Sequence, residues 1–387
     1  MTNTFITNDI KYIGVDDKTL DMFENQYVLK NGISYNSYVI FDDDIAIVDT
    51  VDPRGTEQWL INLETVLDGK IPTYIIAHHI EPDHSGSLKI VLEKYPDIKI
   101  VGNAKTFMYI NQFFNMQIDS KNHILVKENS TLCLGKHTLQ FIMAPFVHWP
   151  EVMVSYEISN KLLFSADAFG KFGTLDIDEN WDCEARRYYI NIVGKYGVQV
   201  QSLLKKVAKL DIQTICALHG PILKENLSYY INKYDIWSSY KPEEEGIVIA
   251  CASMHGNTAK ACEKLKEMLI EKGAKKVVMF DLARDDMAEA IEDSFRYDKL
   301  VLASATYENG VFTCMDTFLH RLKSKEFKNR TVGYIENGSW APVAYKEMSN
   351  IVKTMKNINE LSTVVTIKSA LNEKSTEQLE LLAEELL

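Results

Sequence analysis

Up to about residue 238 the chain alternates short apolar runs with polar turns. The runs "SYVIFDDDIAIVDT" (37–50), "TYIIAHH" (73–79), "IKIVGN" (98–103), "HTLQFIMAP" (137–145), "VMVSYEI" (152–158) and "KLLFSAD" (161–167) read as strands, some of them paired through polar turns. Helical stretches such as "RGTEQWLINLETVL" (54–67) fall between others. Strands and helices mixed with hairpins predict an αββα sandwich rather than a simple wound sheet. After "SSYKPEEEG" (238–246), where a Pro, three glutamates and a Gly interrupt the pattern, the rhythm becomes regular. Apolar runs at 246–253, 275–283, 299–307, 330–338 and 362–370 alternate with amphipathic helices such as "TAKACEKLKEMLIEKG" (258–273). Five strand–helix units predict a doubly wound parallel sheet, and such sheets bind ligands at the carboxyl ends of their strands. The expected domains are 1–243 and 244–387.

Composition narrows the function classes. At 387 residues the chain has room for two cores, and 46% hydrophobic with 25% charged residues is ordinary for a globular protein. A net charge of −12 argues against nucleic acid and anionic membrane as partners. No apolar run approaches the roughly 18 residues of a membrane span, and "MTNTFITNDIKYIGVDD" lacks the basic and apolar regions of a secretion signal. A cytoplasmic location is therefore expected. Cys133, Cys183, Cys216, Cys251, Cys262 and Cys314 form no C-x-x-C pair, which suits reduced thiols and excludes a fused iron–sulfur or rubredoxin module. Any metal must be held by nitrogen and oxygen.

The candidates for that role lie at the ends of apolar strands. "HHIEPDHSG" (78–86) gathers His79, Glu81, Asp83 and His84 in one loop, and His148, Asp167 and His219 each follow a further strand. In a sandwich those strand ends converge on one edge. Seven ligands are too many for one ion and suit two ions sharing a bridge. His78, His123, His137 and His320 read as ordinary hydrogen-bonded histidines.

The second half carries a different constellation. "SMHGNT" (Ser253, Met254, His255, Gly256, Asn257, Thr258) closes the first strand–helix turn with a Gly, exposed amides and hydroxyls, which suits a phosphate at a helix N-terminus. It lacks G-x-G-x-x-G and G-K-[ST], so a monophosphate such as FMN fits better than a dinucleotide or nucleoside triphosphate. "SATYENG" supplies Ser304, Ala305, Thr306, Tyr307, Asn309 and Gly310, and "ENGSWAP" supplies Asn337, Gly338, Ser339 and Trp340. Backbone groups for a ring edge and an aromatic for its face are what a flat isoalloxazine needs.

The ordered set H-x-E-x-D-H at 79–84, then His148, Asp167 and His219, resembles the flavodiiron proteins (A-type flavoproteins). The stretches "GISYNSYVI", "FVHWPEVM", "LFSADAFGKFG" and "ALHGP" are similar too, although the interval from Asp167 to His219 is shorter than the family pattern. The resemblance covers nearly the whole chain. It implies a metallo-β-lactamase-like αββα first domain and a flavodoxin-like second domain. It also implies a di-iron centre with His79, Glu81 and His148 on one iron, Asp83, His84 and His219 on the other, and Asp167 bridging. Hydrolases of the same fold carry His where Glu81 stands and bind zinc; a carboxylate there adds negative charge that favours oxidised iron. The implied activity is reduction of dioxygen to water, of nitric oxide to nitrous oxide, or both. The implied partners are an external electron donor (rubredoxin-like, ferredoxin-like or a flavin reductase) and a second copy in a head-to-tail homodimer or dimer of dimers. Two other readings stand beside it: a binuclear zinc hydrolase with an accessory flavodoxin domain, and an electron-transfer flavoprotein with an inert first domain.

Overall fold

A computed structural model describes residues 5–116 and 118–387; the first four residues of the N-terminal stretch read above lie outside the described residues. The chain divides into two compact units. One comprises residues 1–189 and 198–235, the other 190–197 and 236–387. The second unit thus claims a segment inside the first half of the sequence. Tyr240 shows why: its buried hydroxyl donates to the carbonyl of Gly194 at 2.8 Å and accepts from the amide of Gly197 at 3.2 Å.

The first unit is built on two facing sheets. One runs in the order Ile10–Tyr12, Tyr38–Ile40, Ala46–Val48, Tyr74–Ile76, Lys99–Gly102, His123–Leu125; the other in the order Thr131–Cys133, Thr138–Met143, Met153–Glu157, Leu162–Phe164, Thr214–Cys216. Alternation decides which side chains meet. Tyr38, Ile40, Val48 and Ile76 from the first sheet share a core with Leu139, Phe141, Leu162 and Phe164 from the second. Helices Thr56–Leu67, Ala104–Phe114 and Gly197–Val207 accompany the sheets in chain order, as an αββα sandwich requires. Trp59, Leu63 and Leu67 are the buried face of the first of them.

The second unit carries five parallel strands in the order Val277–Asp281, Glu244–Ala252, Tyr297–Tyr307, Lys328–Asn337, Lys356–Ile367. Numbered by sequence this is 2-1-3-4-5, the flavodoxin-like order, whose ligand crevice lies where the order reverses. Cys251 and Cys262 are buried in its core. Among the described residues no helix is long and apolar enough to cross a membrane.

Candidate metal centre and cofactor pocket

The loop after Tyr74–Ile76 is shaped before any metal is considered. Glu81 caps the short helix Pro82–Ser85, and Pro at its first position costs no hydrogen bond there. Ser85 Oγ donates to the carbonyl of Ile80 at 2.8 Å, and Thr50 Oγ1 donates to that of His84 at 2.8 Å. Gly86 admits no side chain, because a Cβ would lie 2.3 Å from Pro53 Cδ. This turn points His79 and Glu81 one way and Asp83 and His84 another.

All seven strand-end candidates come together, in two groups: His79, Glu81, His148 and Asp167, and Asp83, His84 and His219. In the first, His79 Nε2 lies 3.2 Å from Glu81 Oε2 and 3.3 Å from Asp167 Oδ2. His148 Nε2 lies 3.0 and 3.3 Å from the same two oxygens. In the second, Asp83 Oδ2 lies 3.3 Å from Nε2 of both His84 and His219, and Asp167 Oδ1 lies 3.0 Å from His84 Nε2. The two carboxylate oxygens of Asp167 therefore face different groups, which is the pose of a bridge. Ala166, immediately before it, sits at a φ of 51°, a strained value for a residue with a Cβ.

These atoms do not satisfy one another. Both oxygens of Asp83 and Asp167, both ring nitrogens of His84, and His219 Nε2 are buried without a well-aligned hydrogen bond. Donor atoms 3.0–3.3 Å apart match the edges of a coordination polyhedron with bonds of about 2.0–2.2 Å. Burial opposes charge on the imidazoles, but the carboxylates outweigh it. Asp167 and Glu151 raise His79 well above the imidazole range, and Asp167 and Glu81 push His148 up to about 9. Burial likewise opposes charge on Asp167, yet His84 and His79 hold it well below the carboxylate range. The cluster demands positive charge at its centre, and two metal cations fit the donor set.

Outer contacts complete the site. His79 Nδ1 is bound by buried Glu151 Oε1 at 2.7 Å, and His219 Nδ1 by the carbonyl of Ser34 at 2.7 Å. The rings of Phe23, Tyr35 and Tyr188 lie 5.6, 5.9 and 5.4 Å from that of His219, and Trp149 lies 5.2 Å from His79. Sequence pattern did not single out Glu151. An isolated acid in "HWPEVM" gives no sign that its partner lies 72 residues earlier. The four histidines set aside stay outside both groups. His78 is bound by Asp49 and Ser155, His137 by Glu157, His123 stacks on Phe107, and His320 is exposed.

In the second unit a cavity of about 480 Å³ opens at the carboxyl ends of the strands. Met254, His255, Asn257, Thr258, Ala305, Thr306, Asn309, Asn337, Gly338, Ser339 and Trp340 line it, as do Glu308, Ala341 and Ser369, which the loop motifs did not single out. Ser253, Gly256, Ser304, Tyr307 and Gly310 are absent from the lining. Ser253 instead builds the turn: its Oγ accepts from the amides of Gly256 and Ala259 at 3.1 and 3.2 Å. Gly256 supplies the φ of 84° that starts the helix Asn257–Glu271. Ser304 is buried beneath the loop and accepts from Phe312 N, Tyr307 packs its ring on Phe312, and Gly310 pairs with Tyr307. Asn337 ties the walls together, donating to Thr258 Oγ1 and the Ser369 carbonyl and accepting from the Ser369 amide. Trp340 is 90% exposed, so it stands at the rim as a free aromatic face. Among the described residues no Lys or Arg lines the cavity, so backbone amides, hydroxyls and the His255 ring are the groups available to meet a phosphate.

The model of the ODP family beta lactamases matches residues 33–220. The nitric oxide reductase of Moorella thermoacetica is 28% identical over 361 residues, 91% of this chain and 90% of its own. A variant of the flavo di-iron protein of Thermotoga maritima superposes with a TM-score of 0.87 at 26% identity, covering 98% of this chain and 96% of the other. In sequence and fold the chain is similar to the flavodiiron proteins. The rubredoxin oxygen:oxidoreductase of Desulfovibrio gigas shares the flavodiiron fold found here, with a TM-score of 0.92 at 24% identity over 98% of this chain and 96% of that one.

Proposed function

We propose that this chain is a flavodiiron protein that reduces dioxygen to water, nitric oxide to nitrous oxide, or both, with electrons taken up through FMN and delivered at a di-iron site. The observation that carries this reading is Asp167. Its two oxygens face two sets of donors, each of two imidazoles and one carboxylate, in a chain that also holds a flavodoxin-type pocket. In this assignment His79, Glu81, His148 and Asp167 hold one iron, and Asp83, His84, His219 and Asp167 the other, within residues 1–243. The cavity loops within 244–387 hold FMN, with the 253–258 turn at its phosphate. When bound, the iron pair would supply electrons and Lewis acidity to a diatomic ligand.

The chain's own residues prepare that chemistry. Ser34 and Glu151 fix two ligand rings through their outer nitrogens, so the inner nitrogens are aimed without reorganisation. Phe23, Trp149 and Tyr188 wall the site against bulk water. Burial, reinforced by Asp167, Asp83 and Glu81, raises the Tyr188 hydroxyl well above its ordinary range, so it is a neutral hydrogen-bond donor beside the site. Glu24, at the tip of the hairpin Met22–Phe23/Tyr27–Val28, is a candidate proton donor. Although the residue is exposed, desolvation by the surrounding chain and the nearby charge of Glu81 raise its carboxyl above the usual range.

An external carrier must refill the flavin, and a rubredoxin-like, ferredoxin-like or flavin-reductase donor fits a cytoplasmic enzyme of this kind. A head-to-tail homodimer, alone or paired into a tetramer, would bring the flavin of one copy beside the irons of the other. The binuclear zinc hydrolase is disfavoured by Glu81, which puts a third carboxylate among the seven donors. Anaerobic turnover of the chemically reduced protein with each gas, together with metal and flavin content, tests the reading. Two irons, one FMN and consumption of either gas support it; two zincs with hydrolase activity overturn it.

A further inference from the structure

The two donor groups are alike in composition. Each has two imidazoles and one carboxylate, and they share Asp167. Ligand type therefore does not distinguish the two metal positions. What distinguishes them is the partner of the outer ring nitrogen of His79, compared with those of His219 and His84. His79 Nδ1 meets the Glu151 carboxylate at 2.7 Å, whereas His219 Nδ1 meets a neutral backbone carbonyl at the same distance. His84 Nδ1 is buried with no hydrogen-bond partner among the described residues.

Glu151 is built for this contact. It has no solvent exposure, and the same Oε1 also accepts from the amide of Ile80 at 3.0 Å. Its own carbonyl is pinned by Asn103 Nδ2 at 2.5 Å, from the cap of the helix Ala104–Phe114. Its Oε2 is buried without a partner among the described residues, so besides His79 only the Ile80 amide draws on its charge. A charged acceptor pulls the Nδ1 proton and enriches the ring, making Nε2 a stronger donor than an imidazole bound to a carbonyl. A stronger donor favours the more highly charged metal.

We propose that Glu151 is a positioning residue that makes the His79–Glu81–His148 group the stronger electron donor, so that when the pair holds one electron the ferric ion resides there. This rests on the di-iron reading above. The first electron then enters at the Asp83–His84–His219 group and the second at the His79 group.

The test compares iron-loaded wild type with Glu151→Gln by redox titration, following the mixed-valent pair by electron paramagnetic resonance. Gln keeps an oxygen to accept from His79 and Ile80 and removes the charge. Losing it should weaken ferric relative to ferrous binding at one metal by roughly tenfold, about 59 mV for one electron. The second reduction step should rise by that amount and the first should move less, so the two steps draw together. Unchanged potentials with iron retained, or equal shifts of both steps, would overturn the proposal. If the variant loads iron incompletely, cobalt(II) titration decides between the same alternatives. A 10- to 100-fold weakening at one of the two cobalt positions supports the proposal, and equal weakening at both overturns it. The di-iron reading is judged separately, by whether wild type itself carries two irons.

Discussion

His78 and His79 are consecutive, both are fully buried, and they serve opposite sides of one strand end. His78 turns inward, its ring nitrogens 2.7 Å from Asp49 Oδ2 and 2.8 Å from Ser155 Oγ; His79 turns to Glu81 and Asp167 at 3.2 and 3.3 Å. The chain bends at His78, just past the strand Tyr74–Ile76, and the two side chains diverge, so one histidine is committed to the fold and the next to the donor cluster. Substitution should separate the two roles. His78→Ala leaves Asp49 buried without its ring partner and should cost about 3 kcal/mol of stability, while the folded fraction keeps two irons. His79→Ala should lose iron from its group. Chemical denaturation paired with metal analysis measures both, and loss of iron from folded His78→Ala protein would contradict the division.

Glu81 is the most exposed of the seven donors, and its Oε2 lies 3.0 Å from His148 Nε2. Replacing it by His removes one of three negative charges and restores the donor pattern of the zinc hydrolases. Glu81→His should retain FMN, favour zinc over iron during expression, and reduce dioxygen or nitric oxide at least about tenfold more slowly when loaded with iron. Wild-type rates in an iron-loaded Glu81→His protein would show that the carboxylate is not what adapts the site to redox chemistry.

The clustered donors were legible because four of them crowd into residues 79–84 and the others each close an apolar strand. Their supports were not. Asp49 and Glu151 are single acids whose partners lie 29 and 72 residues away, and only the fold brings them together. The doubly wound parallel sheet followed from a regular strand–helix alternation, but its 2-1-3-4-5 order did not, and the attachment of residues 190–197 to the second unit rests on Tyr240, Asn191 and Lys325, whose contacts no periodicity reports. In the second unit the motifs marked segments that border the cavity. Whether a given side chain faces the cavity or its own backbone depends on turn geometry, which is why Ser304 and Tyr307 fall outside the lining and Ser369 within it.

That distinction has a measurable consequence. Ser253→Ala removes the acceptor for two amides that hold the phosphate turn, a loss of about 1 kcal/mol, or roughly fivefold in FMN affinity. Tyr307→Leu replaces a ring that packs on Phe312 outside the cavity lining and should leave affinity within about twofold. Fluorescence titration of the flavin-free proteins checks both. A larger loss for Tyr307→Leu than for Ser253→Ala would mean that the aromatic closes over the bound ring.

The head-to-tail dimer makes the most demanding prediction. Each unit carries an exposed aromatic surface beside its site. Trp340 stands at the rim of the flavin cavity, and Phe113, 46% exposed, stacks at 5.8 Å on Trp149, which in turn meets His79. Exposed apolar surface bordering a functional site marks a docking face, and a two-fold assembly pairing one such face with the other would create two equivalent junctions. Mixed dimers test this directly. One chain lacks metal through His79→Ala with Asp83→Ala; the other lacks FMN through disruption of residues 253–258. Each mutant homodimer lacks one centre and should be inactive. In a head-to-tail mixed dimer the intact flavin of the first chain would face the intact irons of the second, so about half of the wild-type activity per dimer should return, one junction of two. Verified mixed dimers with both remaining centres loaded but no turnover would place electron transfer within a single chain.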